Sequence, residues 1–336
     1  LVKLFLAFFI ILSVSSPGLT DSLGEQEKRF LEEHSQEIKL GEADFPLLEN
    51  QLDNHSIFLV GKNHGLEINT RLQMDLLKFF HQKAGVRYLV IEATYSMGEF
   101  INKFLETGEE EYLELIISYW RRSQEKFDFF RDLKEYNAEL PEEEQIRVVG
   151  VDVQGPPRTL ISIKYLGNLL TDSHIPLELE YHLLPLVSLA QDFMELRQEA
   201  DHPRKAQTEY QAGIPDEMIK KAMETAQNIL EHWEKNSEPY EQFLENPPEF
   251  YLVLNNIIDA FIMEEKLQEG LEASQSYRSE RAFNNFLEFS KDLEGENFFA
   301  HWDELSVLQK PFRGVERFGA RLAGPESPFH GEVLSL

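Results

Sequence analysis

The sequence contains no cysteine. That excludes a disulfide framework, a lipid-modified cysteine and a thiol nucleophile, and it leaves stability in an exported setting to the core alone. No G-x-S-x-G stretch occurs, so a serine elbow is not supported either. Neither H-E-x-x-H nor a comparable paired spacing is present to suggest a metal centre, and no cofactor is called for. Basic residues are scarce, 32 against 60 acidic ones, for a formal charge of −28. A phosphate backbone would be repelled by such a surface, and no basic stripe offsets it, so nucleic acid is not an expected partner. The acidity is spread over helix-like stretches such as "ETGEEEYLELI" and "LPEEEQ", which read as solvated helical faces.

The chain opens with Lys3, an apolar run from Leu4 to Leu12 and small residues from Ser13 to Ser16. The run is too short to span a bilayer comfortably, and Ser13-Val14-Ser15 offers a small-residue cleavage pattern. Residues 1–16 are therefore expected to be a signal peptide, with export to a periplasmic or extracellular compartment and no stable membrane span after cleavage. An uncleaved N-terminal anchor is the alternative. The sequence begins at Leu1 rather than methionine and stops in "GEVLSL", which resembles a strand in progress, so the expectation is a fragment.

With 336 residues, 42% of them hydrophobic, the chain can build a sizeable core in one large domain or two lobes. Four short apolar runs read as strands buried on both faces: "SIFLVG" from 56, "RYLVIEA" from 87, "IRVVGVD" from 146 and "NFFAHW" from 297. Helical periodicity lies between them. Leu72, Leu76, Leu77 and Phe80 form one stripe that ends at Gly85, and "MGEFINKFLETG" ends the same way at Gly108. The alternation predicts an α/β fold with a central, mostly parallel sheet and flanking helices, with ligands at the C-terminal ends of the strands. From Pro156 to about Ser276 the pattern is helical throughout, with breaks at proline or glycine. The expected organisation is a first part of the α/β core over 24–155, a large helical insertion over 156–276 and the last part of the core over 277–336. Nothing in the sequence fixes the oligomeric state.

His64, Glu92 and Asp152 each fall at or just beyond the end of a predicted strand, so one crevice can hold all three. Taken singly, each has a bland alternative: Glu92 as the cap of the next helix, Asp152 as an acceptor for loop amides. A histidine between Gly61 and Gly65 approaches a ligand closely, and a carboxylate beside it would fix its tautomer, an arrangement suited to activating water. A metal held by the same three residues ranks below water activation because the paired spacing is missing.

The order of these features resembles the erythromycin esterase family. The residues that carry the resemblance are "LVGKNHG", "YLVIEATYSMGEFINKFLETGE", "ISYWRRSQEKFDFFRDLKEYN" and "VVGVDVQ", followed later by "YRSERAFNNFLEF" and "NFFAHWDELSVLQKPFRG". They cover most of 56 to 170 and 276 to 323. The resemblance implies hydrolysis of an ester or lactone by water that a histidine activates, with glutamates orienting it. By position it implies catalytic roles for His64, Glu92 and Asp152 and substrate-binding roles for Arg278 and Asn285. Two positions depart from the family pattern. Lys62 stands where the loop has glutamate, and Ser306 where another histidine is usual. A cation beside His64 would lower its pKa, and serine cannot replace imidazole as acid, base or strong metal ligand. His301, five residues earlier, compensates only if the chain bulges or turns, because an extended segment points the two side chains to opposite faces. Three accounts of the chain stay open: a divergent hydrolase in which Lys62 pairs with Glu92 or steadies an oxyanion; a degenerate relative that binds a small ester or lactone without turning it over; and a helical interaction protein. The bland account of Lys62 is a solvated loop lysine.

Overall fold

A computed structural model describes Arg29 and residues 38–62, 68–117, 123–171, 173–200 and 214–336. The expected signal segment 1–16 and His64 lie outside the described residues.

The four apolar runs form strands β1 (Ile57–Lys62), β2 (Val86–Ile91), β3 (Arg147–Gly150) and β4 (Asn297–Asp303). The terminal "GEVLSL" supplies β5 (Val333–Ser335). They make one parallel sheet in the order β3-β2-β4-β1-β5. Chain that returns after the long helical run therefore enters the centre of the sheet. β4 runs parallel to β1, with Phe58 opposite Phe299 and Val60 opposite His301, and it pairs with β2 on its other side. β5 covers the other edge of β1, with Ile57 opposite Val333. The first four residues of β1 and the middle five of β4 are all buried, which is why these strands read as continuous apolar runs rather than alternating ones.

Twelve α-helices lie among the described residues. The first five are α1 (Pro46–Leu52), α2 (Ile68–Ala84), α3 (Tyr95–Thr107), α4 (Glu110–Ile117) and α5 (Gln124–Ala138). Between β3 and β4 come α6 (Thr159–Leu170), α7 (Leu177–Ala200), α8 (Asp216–Trp233), α9 (Ser237–Phe243), α10 (Pro247–Glu269) and α11 (Leu271–Ser290), and α12 (Phe318–Leu322) precedes β5. The expected stops are present: Gly85 and Gly108 adopt φ of 65° and 80°, the left-handed conformation that glycine enters without a Cβ penalty. The backbone N–H of Gly108 closes α3 on the Phe104 carbonyl.

The chain divides into two compact units. The first comprises Leu1–Val90, Glu135–Arg147 and Leu293–Leu336. Its core is aromatic. Phe80 of α2 stacks on Phe58 of β1 at 4.4 Å between centroids and lies 5.4 Å from Phe299 of β4. Phe79 beside it meets Phe45 edge-on at 5.3 Å. Each such ring contributes about 1.5–3 kcal/mol by leaving water, so α2 is held chiefly by this stripe.

The second unit comprises Ile91–Lys134 and Val148–Asp292. Thr94, accepting from the Met97 amide, caps α3. A Cβ on Gly98 of α3 would lie 2.6 Å from the Gly150 nitrogen, and one on Gly150 would lie 1.9 Å from the Thr94 carbonyl oxygen. Asn102 seals the same contact, donating to the Val148 carbonyl and accepting from the Val148 N–H, both at 2.9 Å. The start of α3 and the end of β3 thus touch backbone to backbone. Gly150→Ala is expected to destabilise the protein by about 1–3 kcal/mol or more, read as a lower urea midpoint; an unchanged midpoint would contradict the contact. Farther along, Gly167 of α6 meets the Ala190 side chain of α7 so closely that an added Cβ would lie 2.5 Å from it.

Candidate active site

The glycine contacts bring two loops of the second unit together, the one after β2 and the one after β3. Glu92 is the first residue past β2, and Asp152 the second past β3. The Asp152 N–H donates to the Ala93 carbonyl at 2.9 Å. Thr94, not Glu92, is the helix cap, which leaves the Glu92 side chain for another role.

Asp152 is 1% exposed and meets Arg278 of α11 in a two-pronged ion pair. Arg278 Nε donates to Oδ1 at 2.8 Å, and its Nη2 donates to Oδ2. The same Nη2 lies 3.7 Å from Glu92 Oε1. Glu92 keeps 14% of its side chain exposed and Arg278 36%, so the carboxylate and the guanidinium reach solvent while Asp152 does not. Burial pushes the Asp152 carboxyl above its ordinary range, against the opposing pull of the Arg278 guanidinium. Asn285, also on α11, is buried and donates to the Val151 carbonyl at 2.9 Å and to Asn256 Oδ1 at 2.8 Å. Its two amide hydrogens are spent on the protein. α11 therefore grips the loop after β3 twice, at Asp152 through Arg278 and at Val151 through Asn285.

Two participants were not singled out from the sequence. Gln154 donates from Nε2 to Asp152 Oδ2 and, at 3.4 Å, to the Glu92 carbonyl. Arg158, just before α6, donates to Gln154 Oε1 at 2.5 Å. The signal for Gln154 was its place two residues after Asp152, the spacing that puts two side chains on one face of an extended segment. Arg158 had no comparable signal.

The other expected residues lie in the first unit. Lys62 is the last residue of β1 and donates from Nζ to the His301 carbonyl of β4 at 2.6 Å, so it is not a solvated loop lysine. His301 is buried within β4. Past β4 the chain turns: the Leu305 N–H donates to Asp303 Oδ1 at 3.0 Å and the Ser306 N–H to the Asp303 carbonyl at 2.8 Å. Ser306 is buried in that turn and its carbonyl accepts from the Gly319 N–H. Gly61 has its own reason to be glycine, since a Cβ there would lie 3.1 Å from the Glu304 Cα and from Val307. Among the described residues, no three His, Asp or Glu side chains are grouped to hold a metal, and no helix is long and apolar enough to cross a membrane. A depression of about 470 Å³ in this unit is lined by His55, Ser56, Lys83, Asn297 and Glu332, among others, and by none of the expected site residues. It lies at the N-terminal ends of the strands, the edge away from where open parallel sheets bind ligands.

The erythromycin esterase sequence profile matches residues 81–283, more than half of the chain and inclusive of Glu92, Asp152, Arg278 and the helices α6 to α10. The chain belongs to the erythromycin esterase family. No curated protein matches it significantly. Among solved structures, it is similar to a Bacillus cereus protein at 15% identity and a TM-score of 0.63, covering 91% of this chain and 72% of that one. It is also similar to a succinoglycan biosynthesis protein at 14% identity and a TM-score of 0.55, covering 89% and 70%. A histidine-to-asparagine mutant of erythromycin esterase EreC in its open conformation matches at 12% identity and a TM-score of 0.55, covering 87% and 72%. At these identities the structures establish the shared fold. Within the erythromycin esterase fold, the loops after β2 and β3 hold an acidic pair bridged by arginine.

Proposed function

We propose that the chain is an exported, erythromycin esterase-like hydrolase that attacks an ester or lactone with water activated by His64. The observation that carries this reading is the Glu92–Arg278–Asp152 cluster at two strand ends, in a chain of this family. Glu92 is the partly exposed carboxylate of the cluster and is given the role of orienting the His64 base. Asp152 and Arg278 hold the cluster, and the helices from α6 through α10 supply the insertion that shapes substrate choice. Residues 1–16 serve as the export signal in this reading. The substrate is a small-molecule ester or lactone.

A second reading is a binding protein on the same scaffold that has lost turnover. It is favoured by one observation, the Lys62 ammonium hydrogen-bonded to the His301 carbonyl where the family carries a glutamate. The test is hydrolysis of a panel of aryl esters and macrolides by the purified chain beside its His64→Ala variant. Turnover lost in the variant supports the hydrolase. Equal background rates from two folded proteins support the binding protein. On the decay account, Lys62→Glu combined with Ser306→His is expected to raise the rate; no gain in the double variant would mean that the chemistry was rebuilt rather than lost.

A further inference from the structure

α10 and α11 form a hairpin about Gly270, whose φ of 139° turns the chain sharply. Their seam is unusually polar. Ser274 donates to the Met263 carbonyl at 3.1 Å, and Asn285 to Asn256 Oδ1 at 2.8 Å. Between these lies Asp259 of α10, 6% exposed, with both carboxylate oxygens engaged. Tyr277 Oη donates to Oδ1 at 2.6 Å, and Arg281 Nε donates to Oδ2 at 2.7 Å. These two donors flank Arg278 in the sequence.

The arrangement contains an ambiguity that the fold has to resolve. α11 presents two arginines three residues apart, Arg278 and Arg281, which lie on neighbouring lines of the same helix face. Two buried carboxylates await them, Asp152 and Asp259. Ridges on a helix repeat every three or four residues, so an apolar seam would tolerate a three-residue slip of about 4.5 Å and offer Arg281 to Asp152 instead. A slip against Asp259 strands a buried charge, which is strongly unfavourable, whereas a buried ion pair adds little net stability over an apolar replacement. Such pairs act best as selectors of register. We infer that Asp259 is a positioning residue: by holding Tyr277 and Arg281 it sets the register of α11, so that Arg278 and no other arginine meets Asp152 and Glu92.

The inference deepens the hydrolase reading and rests on it only for the catalytic consequence. The test uses the full chain in three forms: unsubstituted, Asp259→Leu with Arg281→Leu, and Asp259→Asn, which keeps an acceptor for Tyr277 and drops the charge. Hydrogen exchange at residues 151–154 reads the grip of α11 on the loop without any substrate. The double variant is expected to stay folded and to exchange there at least about tenfold faster, with Asp259→Asn between it and the parent. Its kcat for Glu92-dependent hydrolysis falls with KM little changed, since a misplacement of about 1 Å costs up to ~10²-fold in rate. A crystal structure of the Asp259→Asn variant with Arg281 on Asp152 would be direct support. Equal protection of residues 151–154 in all three proteins would overturn the inference. If the parent protein shows no Glu92-dependent turnover, the hydrolase reading fails, while exchange still decides the register.

Discussion

Glu92→Ala is expected to abolish hydrolysis, with kcat/KM on any accepted ester falling by about 10²–10⁴-fold, the range associated with a lost acid–base partner. The cluster itself singles out Glu92. Asp152 is closed off from solvent and committed to Arg278 and Gln154, and Asn285 has both amide hydrogens on the protein. Glu92 follows directly on β2, is partly exposed, and sits 3.7 Å from the guanidinium that fixes it. Removing its carboxylate leaves the Asp152–Arg278 pair intact, so the fold should survive and the loss should be chemical. Steady-state kinetics beside a circular dichroism melt checks this, and full activity in a folded variant would take Glu92 out of the site.

Arg278→Ala should do the opposite, harming the fold first. It leaves Asp152 buried without its counter-charge, a change that costs about 3–5 kcal/mol. The effect carries a sign in pH. Burial already holds the Asp152 carboxyl above its ordinary range, and Arg278 is the main force pulling it down. Without the arginine the folded-state pKa rises further above the unfolded value, so the folded form binds the proton more tightly. The contribution is then complete below the unfolded pKa and lost as pH rises through the folded pKa. The variant should therefore recover stability relative to the parent as pH falls from 7 toward about 4. Urea unfolding at several pH values checks both magnitude and direction. A parallel pH dependence in the two proteins would mean that Asp152 does not feel the arginine.

The placement of the candidate site's two carboxylates at strand ends was legible because each follows a buried apolar run, and such runs announce strands and their stops together. Helix ends were legible at Gly85 and Gly108 for a similar reason, since a left-handed residue closes a helix locally. What was hidden is non-local. That β4 would enter the middle of the sheet depends on pairing across more than two hundred residues, and no spacing encodes it. Asp259 acts on α11 through side-chain hydrogen bonds between two helices, and Arg158 through one to Gln154 four residues earlier; neither leaves a periodic trace. Lys62 was misplaced in a different way. It looked like part of the loop that frees His64, but it extends β1 past Gly61, where the glycine admits the turn at Glu304 and the lysine is drawn back to β4. A strand that ends in glycine and lysine is indistinguishable from a loop until its neighbour is known.

The central place of β4 also sets an order of assembly. Both partners of β1 come from the last forty residues of the sequence, whereas the second unit is contiguous from Val148 to Asp292 apart from its Ile91–Lys134 segment. At about 5–20 residues per second, a ribosome needs on the order of tens of seconds to travel from the first strand to the one that pairs with it. Throughout that interval the helical unit can gather its own core, while β1 waits with both edges open. A buried apolar strand with two open edges is a template for pairing with another chain, so β1 is the segment most exposed to aggregation until β4 and β5 emerge.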